Sequence, residues 1–178
     1  MVDVTDKPLT RRVALAKCAV MTTVDAIKVL RENPEGLDVV EGARFAGIQA
    51  AKQTASLIPL CHPIRLDRVT VEVTVGVHKI EISAVTEIVE RTGVEMEALT
   101  ACAVAALTVV KALIHADPEA SIEELTLWHK SGGRSGHWER KGPGGPLTRS
   151  PAPPEATMAE SDPSGQVDGA DMSDGQDR

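Results

Sequence analysis

Four stretches of the chain alternate hydrophobic with polar residues, a period of two that is typical of β-strands buried on one face. They span residues 11–20, 68–75, 79–89 and 122–130. The second and third stretches follow each other across Gly76, so they predict an antiparallel hairpin. Its predicted buried face consists of Val69, Val71, Val73 and Val75 on one strand and Ile80, Ile82 and Ala84 on the other.

Three other stretches space their apolar residues every three or four positions, as on one face of a helix. They span residues 24–33, 43–58 and 95–114. The segment from Asn33 to Gly36 predicts a break between the first two helices, because asparagine, proline and glycine favour turns. The prolines of "IPLCHP" end the second helix, since each disfavours helix for the residue before it.

The order of these elements is strand, helix broken in two, two strands, helix and strand. This order predicts an α+β protein, a ferredoxin-like βαββαβ sandwich with an antiparallel sheet and helices packed on one face. With 178 residues, of which 42% are hydrophobic, the chain can bury one good core. Aromatic residues make up only 2%, so we expect that core to consist of valine, isoleucine, leucine and alanine.

The last 38 residues differ in composition, because 12 of them are glycine or proline and large apolar side chains are almost absent. Such a segment cannot bury enough surface to offset the entropy lost on ordering. We therefore expect one folded domain over residues 1–140 and a disordered acidic tail over residues 141–178. The whole chain has a net charge of −7, whereas the domain without the tail has a net charge of −3. Nothing in the domain indicates a nucleic-acid partner.

The three cysteines, Cys18, Cys61 and Cys102, are far apart in the sequence. An odd number of widely separated cysteines argues against both a disulfide framework and a zinc site. Reduced cysteines fit the cytoplasm. No cationic segment precedes an apolar run at the N-terminus, and no run of about 18 apolar residues occurs. We therefore expect a cytoplasmic protein that has no membrane partner.

Two glutamates stand at the start of the long helix. Thr92 and Glu95 have the spacing of a capping box, in which the threonine accepts a hydrogen bond from the backbone near the glutamate and the glutamate reaches back. Glu97 lies in the first turn, where an acid complements the positive end of the helix dipole. Spacing alone therefore favours a structural role for both glutamates.

Two further segments allow a functional and a structural interpretation in equal measure. His62 lies in a stiff, proline-flanked loop, which suits either proton transfer near neutral pH or a surface histidine. Its neighbour Cys61 fits a packed thiol better than a nucleophile. In "HKSGGRSG", Lys130 and Arg134 flank glycines that could turn backbone N–H groups towards a phosphate, or form only a flexible turn.

Four segments, in this order, resemble one family closely. They are "MVDVTDKP", "ARFAGIQAAKQTASLIPLCHP", "RTGVEMEALTACAVAALT" and "KSGGRSG". Together they resemble the cyclic pyranopterin monophosphate synthases, the MoaC proteins of molybdenum cofactor biosynthesis. The resemblance extends from Met1 to about Arg140.

This resemblance implies a ferredoxin-like hexamer, a trimer of dimers, whose pockets lie at subunit interfaces. It also implies conversion of a 3′,8-cyclised dihydro-GTP to cyclic pyranopterin monophosphate with loss of pyrophosphate, and no metal or organic cofactor. Substrate contacts carried over by motif are Leu60, Cys61, His62, Met96 and Glu97, and expected pocket neighbours are Glu95, Lys52, Lys130 and Arg12. A triphosphate requires a local cationic cluster on an acidic domain.

The chain departs from the family pattern at three positions. The family carries Lys-Gly-Asp-Val before "ARxAGI", where this chain has Gly36-Leu37-Asp38-Val39. The Asp and Lys of the family's Asp-x-x-Lys, which share one helix face, are Lys111 and Ile114 here. Gly36, Lys111 and Ile114 together carry a formal charge of +1, the same as the lysine, aspartate and lysine of the family. Substrate binding could therefore persist without those three family residues.

Three hypotheses follow. The first is a divergent synthase in which His62, Glu97 and Lys111 are the catalytic residues. The second is a non-catalytic member that binds substrate or joins an active paralogue in a hetero-oligomer. The third is a sensor that uses the fold only to bind a nucleotide.

Overall fold

The computed structural model describes residues 1–32 and 35–142, and for residues 35–37 only the backbone. Its elements are β1 (Thr10–Met21), α1 (Val24–Glu32), α2 (Glu35–Lys52), α3 (Thr54–Leu57), β2 (Arg68–Val75), β3 (Lys79–Glu90), α4 (Glu95–Leu113), β4 (Ser121–Ser131) and β5 (Trp138–Glu139). The acidic tail predicted from residue 141 lies almost wholly outside the described residues, and its disorder stays a prediction.

The five strands form one antiparallel sheet in the order β2-β3-β1-β4-β5. The first four strands and their helices follow the predicted βαββαβ order, which confirms the ferredoxin-like α+β class. The predicted hairpin is present, and Gly76 N–H donates to the carbonyl of Lys79 across its turn. The two-residue β5 was not predicted, because so short a strand has no measurable period.

The core lies between the helices and one face of the sheet, as the alternating patterns predict. Residues at alternate positions of β1 face the helices and are buried, namely Ala14, Ala16, Cys18 and Val20. The predicted inner face of the hairpin is buried in the same way at Val71, Val73, Ile80, Ile82 and Ala84. Most of these side chains are small, so the helices can approach the sheet closely.

The second helix differs from the prediction at both ends. It begins at Glu35 instead of Ala43, so the segment containing Gly36 is helical and forms no loop before the helix. A proline is compatible with the start of a helix, and a helix can therefore follow Asn33-Pro34 directly. At its other end the helix closes at Lys52, where the Gln53 N–H donates to the carbonyl of Ala50 in a tighter turn, and α3 follows separately.

Helices α2 and α4 run antiparallel and touch at Gly47. A Cβ at this glycine would lie 2.9 Å from the carbonyl oxygen of Ala101 and 3.3 Å from the Cβ of Ala105. No side chain fits there without displacing the backbone of α4. The contact holds the end of α2 beside the start of α4, where the loop after α3 also returns.

Helix α4 is long and apolar enough to cross a membrane by length and composition alone. Half of its apolar window is buried inside the fold, against the sheet and α2. Burial within the fold accounts for its apolar composition.

We predict opposite effects of alanine at two glycines of α2. Gly47→Ala should lower the free energy of unfolding by about 1–3 kcal/mol, because the added methyl group overpacks the contact with α4. Gly42→Ala is the matched control, since nothing lies within 4 Å of its Cβ position. It should raise the free energy of unfolding by about 0.5–1 kcal/mol through helix propensity. Urea unfolding followed by circular dichroism checks both, and equal effects would contradict the proposed packing.

Candidate functional site

A hollow of about 210 Å³ opens at the start of α4. Three segments that are distant in sequence line it, contributing Val2, Leu60, Cys61, His62, Thr92, Gly93, Glu95, Met96 and Glu97. Pockets for small molecules typically measure about 300–1,000 Å³, so this hollow can hold only part of a nucleotide-sized ligand.

The loop between α3 and β2 brings its backbone to the hollow in a strained conformation. Leu60 has a φ of 69°, in the left-handed region that leucine rarely adopts, and its side chain is 74% exposed. The Cys61 N–H donates to the carbonyl of Ile58 at 3.4 Å, which closes the turn. Backbone strain of this kind often accompanies functional sites, and here it directs Cys61 and His62 towards α4.

The start of α4 differs from the predicted capping box. The N-cap is Val94, and no side chain caps the helix. Glu95 instead lies 3.3 Å from the ammonium of Lys130 on β4, and its carboxylate folds over Gly93, where any Cβ would overlap it. The pairing with Lys130 replaces the reach back to Thr92, and it leaves Thr92 on the wall of the hollow.

Glu97 is the most perturbed acid of the site. It is only 4% exposed, and burial raises its pKa to about 6, with a further contribution from the charge of Glu95. Protons are therefore exchanged at Glu97 closer to neutral pH than at an ordinary carboxyl. Burial and then the charge of Glu97 also raise the pKa of Cys61, which keeps this thiol protonated and fits a packing role.

The glycine-rich turn after β4 lies beside the hollow. Gly132, Gly133 and Gly136 all have positive φ values, which only glycine adopts without strain. The guanidinium of Arg12 lies against Gly133, and it donates to the carbonyls of residues 90 and 91 at 3.2 and 3.1 Å. Arg12 therefore joins the turn to the segment that leads into α4.

Most of the residues singled out in the sequence meet at this hollow. Leu60, Cys61, His62, Glu95, Met96 and Glu97 line it, and Lys130 joins it through Glu95. Lys52 is exposed at the end of α2 and does not line the hollow. The sequence does not assign Val2, Thr92 or Gly93 to the site, although all three lie in motifs that carry the family resemblance.

The three positions at which the sequence is expected to depart from the family pattern lie at the opposite end of the helix pair. Lys111 is exposed in the last turn of α4, and Ile114 is its half-exposed C-cap. Fourteen residues of helix separate Lys111 from Glu97, which corresponds to about 21 Å. Because α2 runs antiparallel to α4, the segment containing Gly36 points to this same far end. Within one chain, Lys111 therefore cannot act on a group held at Glu97.

The charges divide the site into two parts. Among the described residues that line the hollow there are two carboxylates and one imidazole, but no lysine or arginine. Cations lie at its edge, at Lys130 and Arg12, and the exposed Arg134 belongs to the adjoining glycine-rich turn. The hollow therefore suits the N–H groups of a ring, and its edge suits the anionic end of the same ligand.

The sequence profile of the MoaC family matches residues 1–133. The chain belongs to the MoaC family. It is 50% identical over 144 residues to a cyclic pyranopterin monophosphate synthase of Thermomicrobium roseum, a match that covers 79% of this chain and 87% of the relative. It is also 46% identical to cyclic pyranopterin monophosphate synthase 2 of Mycobacterium bovis, over 79% of this chain and 85% of that relative. The identity to synthase 1 of the same organism is 46% as well, over 79% of this chain and 84% of that relative.

We predict that Glu97 makes the stability of this MoaC protein depend on pH. A carboxyl whose pKa rises from 4.5 to about 6 on folding stabilises the fold fully below the lower value and loses that contribution as pH rises through the higher one. Relative to Glu97→Gln, the wild type should lose about 2 kcal/mol of unfolding free energy between about pH 4.5 and pH 7. Urea unfolding of both proteins at the two pH values measures this difference, and a constant difference would contradict it.

Proposed function

We propose that the protein is a cyclic pyranopterin monophosphate synthase of molybdenum cofactor biosynthesis. In this role it converts (8S)-3′,8-cyclo-7,8-dihydroguanosine 5′-triphosphate to cyclic pyranopterin monophosphate and releases pyrophosphate. The observation that carries the proposal is the hollow itself, which the segments "PLCHP" and "GVEME" line together. The last residue of the second segment is Glu97, whose carboxyl group is buried and has a raised pKa. Family membership supports the same assignment.

The charges suggest how the substrate would lie. The guanine-derived ring carries N–H groups that donate to the carboxylates of Glu95 and Glu97. Its triphosphate would extend to the edge, where Lys130 and Arg12 provide cations and the glycine turn provides backbone N–H groups. Release of pyrophosphate breaks the bond between the α-phosphorus and the bridging oxygen to the β-phosphorus, and cations stabilise the charge that develops on that leaving group.

Proton transfer in the hollow falls to His62 and Glu97. His62 is half-buried, and it lines the hollow together with Glu97. A hydroxyl that attacks phosphorus must lose its proton, and a ring rearrangement must move protons as well, so a base and an acid at one site are both needed.

A second copy of the chain would complete the site. The hollow is smaller than the substrate requires, and the far end of the helix pair lies about 21 Å from it. Large apolar side chains are exposed on the helical surface, including Phe45 at 69% and Leu107 at 57%. A hexamer built from dimers, with each hollow facing the far end of a neighbouring chain, would cover such residues and join the two halves.

We predict that the purified full chain releases pyrophosphate from the cyclised triphosphate. His62→Ala and Glu97→Gln should each lower kcat by about 10²–10⁴, the usual contribution of a general acid or base. His78→Ala is the matched control, since this exposed histidine lies in the β2–β3 turn, and its rate should equal that of the wild type.

Unchanged kcat in both hollow variants would contradict the proposed catalytic roles. Light scattering on the same samples tests the shared site, because the proposal requires an oligomer. Full activity in a monomer would contradict the interface part of the proposal alone.

The replaced far-end residues favour a second candidate, a chain that binds substrate but depends on an active paralogue for turnover. Its Lys111 and Ile114 stand where the family resemblance implies an aspartate and a lysine. Synthases numbered 1 and 2 occur together in Mycobacterium bovis, so one organism can hold two such relatives. In a mixed oligomer the paralogue would supply the far end and this chain the hollow.

We predict that the triple variant Gly36→Lys, Lys111→Asp, Ile114→Lys distinguishes the two candidates. If the chain is impaired, the wild type binds the triphosphate without releasing pyrophosphate, and the triple variant gains turnover. If the chain is a working synthase, the wild type already turns over, and the variant brings no comparable gain. Binding by calorimetry and pyrophosphate release are measured together. An inactive wild type whose folded, substrate-binding triple variant is also inactive contradicts the explanation by side chains.

A further inference from the structure

A second cluster of reactive side chains lies on the β4–β5 hairpin, outside the hollow. His129 Nδ1 lies 3.7 Å from Glu139 Oε1, and His137 Nε2 lies 3.6 Å from the same oxygen. The two imidazole rings meet edge to face, with centroids 4.8 Å apart. One potential ligand atom from each of the three side chains lies within 4.8 Å of the other two.

The backbone explains why the three side chains converge. His129 and Glu139 are directly paired across β4 and β5, and His137 precedes Glu139 by two residues, so all three share one face of the hairpin. His129 is also paired with Leu15, whose neighbours on β1, Ala14 and Ala16, face the helices. The cluster therefore lies on the sheet face away from the helices.

We propose that His129, His137 and Glu139 bind one divalent transition-metal ion of the class that accepts imidazole and carboxylate ligands, with Zn²⁺ as the representative. A tetrahedral zinc ion with bonds of about 2.0–2.2 Å places its ligand atoms about 3.4 Å apart. The two separations that involve Glu139, 3.6 and 3.7 Å, need only a slight closure, and the two histidine nitrogens, within 4.8 Å of each other, must also approach. These distances are too long for direct hydrogen bonds, and either histidine forms an ion pair with Glu139 only when it is protonated.

The residue types decide the class of metal. Two imidazoles and one carboxylate suit zinc, cobalt, nickel or copper, whereas calcium and magnesium prefer a shell of oxygen atoms. Three protein ligands leave a fourth position open to water or to an anion. The side chains of His137 and Glu139 are 61% and 68% exposed, so an ion can enter directly from solvent.

The site would fasten the base of the glycine-rich turn. Strand β5 is only two residues long, and its attachment to β4 rests on two residue pairs and on hydrogen bonds from Arg140 to Leu127 and Trp128, both 2.9 Å. A bound metal would join the two strands on either side of residues 132–136. Lys130, next to His129, faces α4 and pairs with Glu95, so the metal would limit the movement of the turn beside the hollow.

Cobalt binding tests the site without reference to enzyme activity. The full chain, free of any affinity tag and stripped with a chelator, is titrated with Co²⁺, whose visible absorption reports coordination by the protein, and Zn²⁺ then displaces it. One equivalent should bind to the wild type. His129→Ala, His137→Ala and Glu139→Gln should each weaken binding by about 10–100-fold or more. His78→Ala and His115→Ala are the controls, since both histidines are exposed elsewhere, and they should match the wild type.

A second readout follows the hairpin itself. Zn²⁺ should slow trypsin cleavage after Arg134 in the wild type and in both controls, but not in Glu139→Gln, whose exposed side chain can change without loss of the fold. Circular dichroism confirms that each variant is folded. Wild-type affinity in the folded cluster variants would overturn the proposal. So would metal binding that is lost only in His62→Ala, since this places the ion in the hollow.

Discussion

The close packing of α4 against α2 and the sheet is the constraint on which the rest of the structure depends. The buried face of α4 consists mainly of small side chains, namely Ala98, Ala101, Cys102, Ala105 and Ala106, and Gly47 of α2 touches its backbone. Helices that meet through small side chains have little freedom to shift, because any larger side chain would separate them. This packing therefore fixes the positions of both ends of α4 relative to α2 and the sheet.

The same packing determines the electrostatics of the hollow. Glu97 lies on the first turn of α4, and its burial raises its pKa to about 6. Glu95, two residues earlier, points to another side and is compensated by Lys130 at 3.3 Å. Two neighbouring carboxyls thus experience different environments, one paired with a cation and the other deprived of water. The hollow thus places a carboxyl group paired with a lysine next to a buried carboxyl group whose pKa is raised.

Periodicity predicted the sheet and the long helix because the core faces one side of the sheet only. A half-buried strand needs alternating residues, and the burial of β1 and the hairpin follows that alternation. Two exceptions lie opposite each other on the outer face, Lys17 of β1 at 8% exposed and Ser83 of β3 at 7%. The ammonium of Lys17 lies 4.7 Å from the centre of the Trp128 ring. A contact across strands distant in sequence leaves no mark on local periodicity.

The parts of the site that the sequence did not predict depend on tertiary contacts too. The motif Thr92-Gly93-Val94-Glu95 has the spacing of a capping box, yet Glu95 pairs with Lys130 on β4. A prediction from neighbouring residues cannot include this lysine, because it is distant in sequence. Because Asn33-Pro34 and Gly36 are turn residues, the sequence predicts that α2 begins at Ala43, whereas the helix begins at Glu35. Packing on α4 favours helix for the following segment in spite of the glycine, as tertiary contacts commonly override propensity.

The close packing of α4 also explains how residues at the far end of this helix can change while the hollow at its start is kept. Position 111 lies about 21 Å from Glu97 and position 114 lies farther away, and both side chains are exposed, so their identities do not affect the burial that raises the pKa of Glu97. Sites that far apart, with no shared partner, contribute to stability independently. Substitutions at the far end therefore leave the hollow intact. It follows that residues at the far end can change without altering the buried carboxyl group of the hollow.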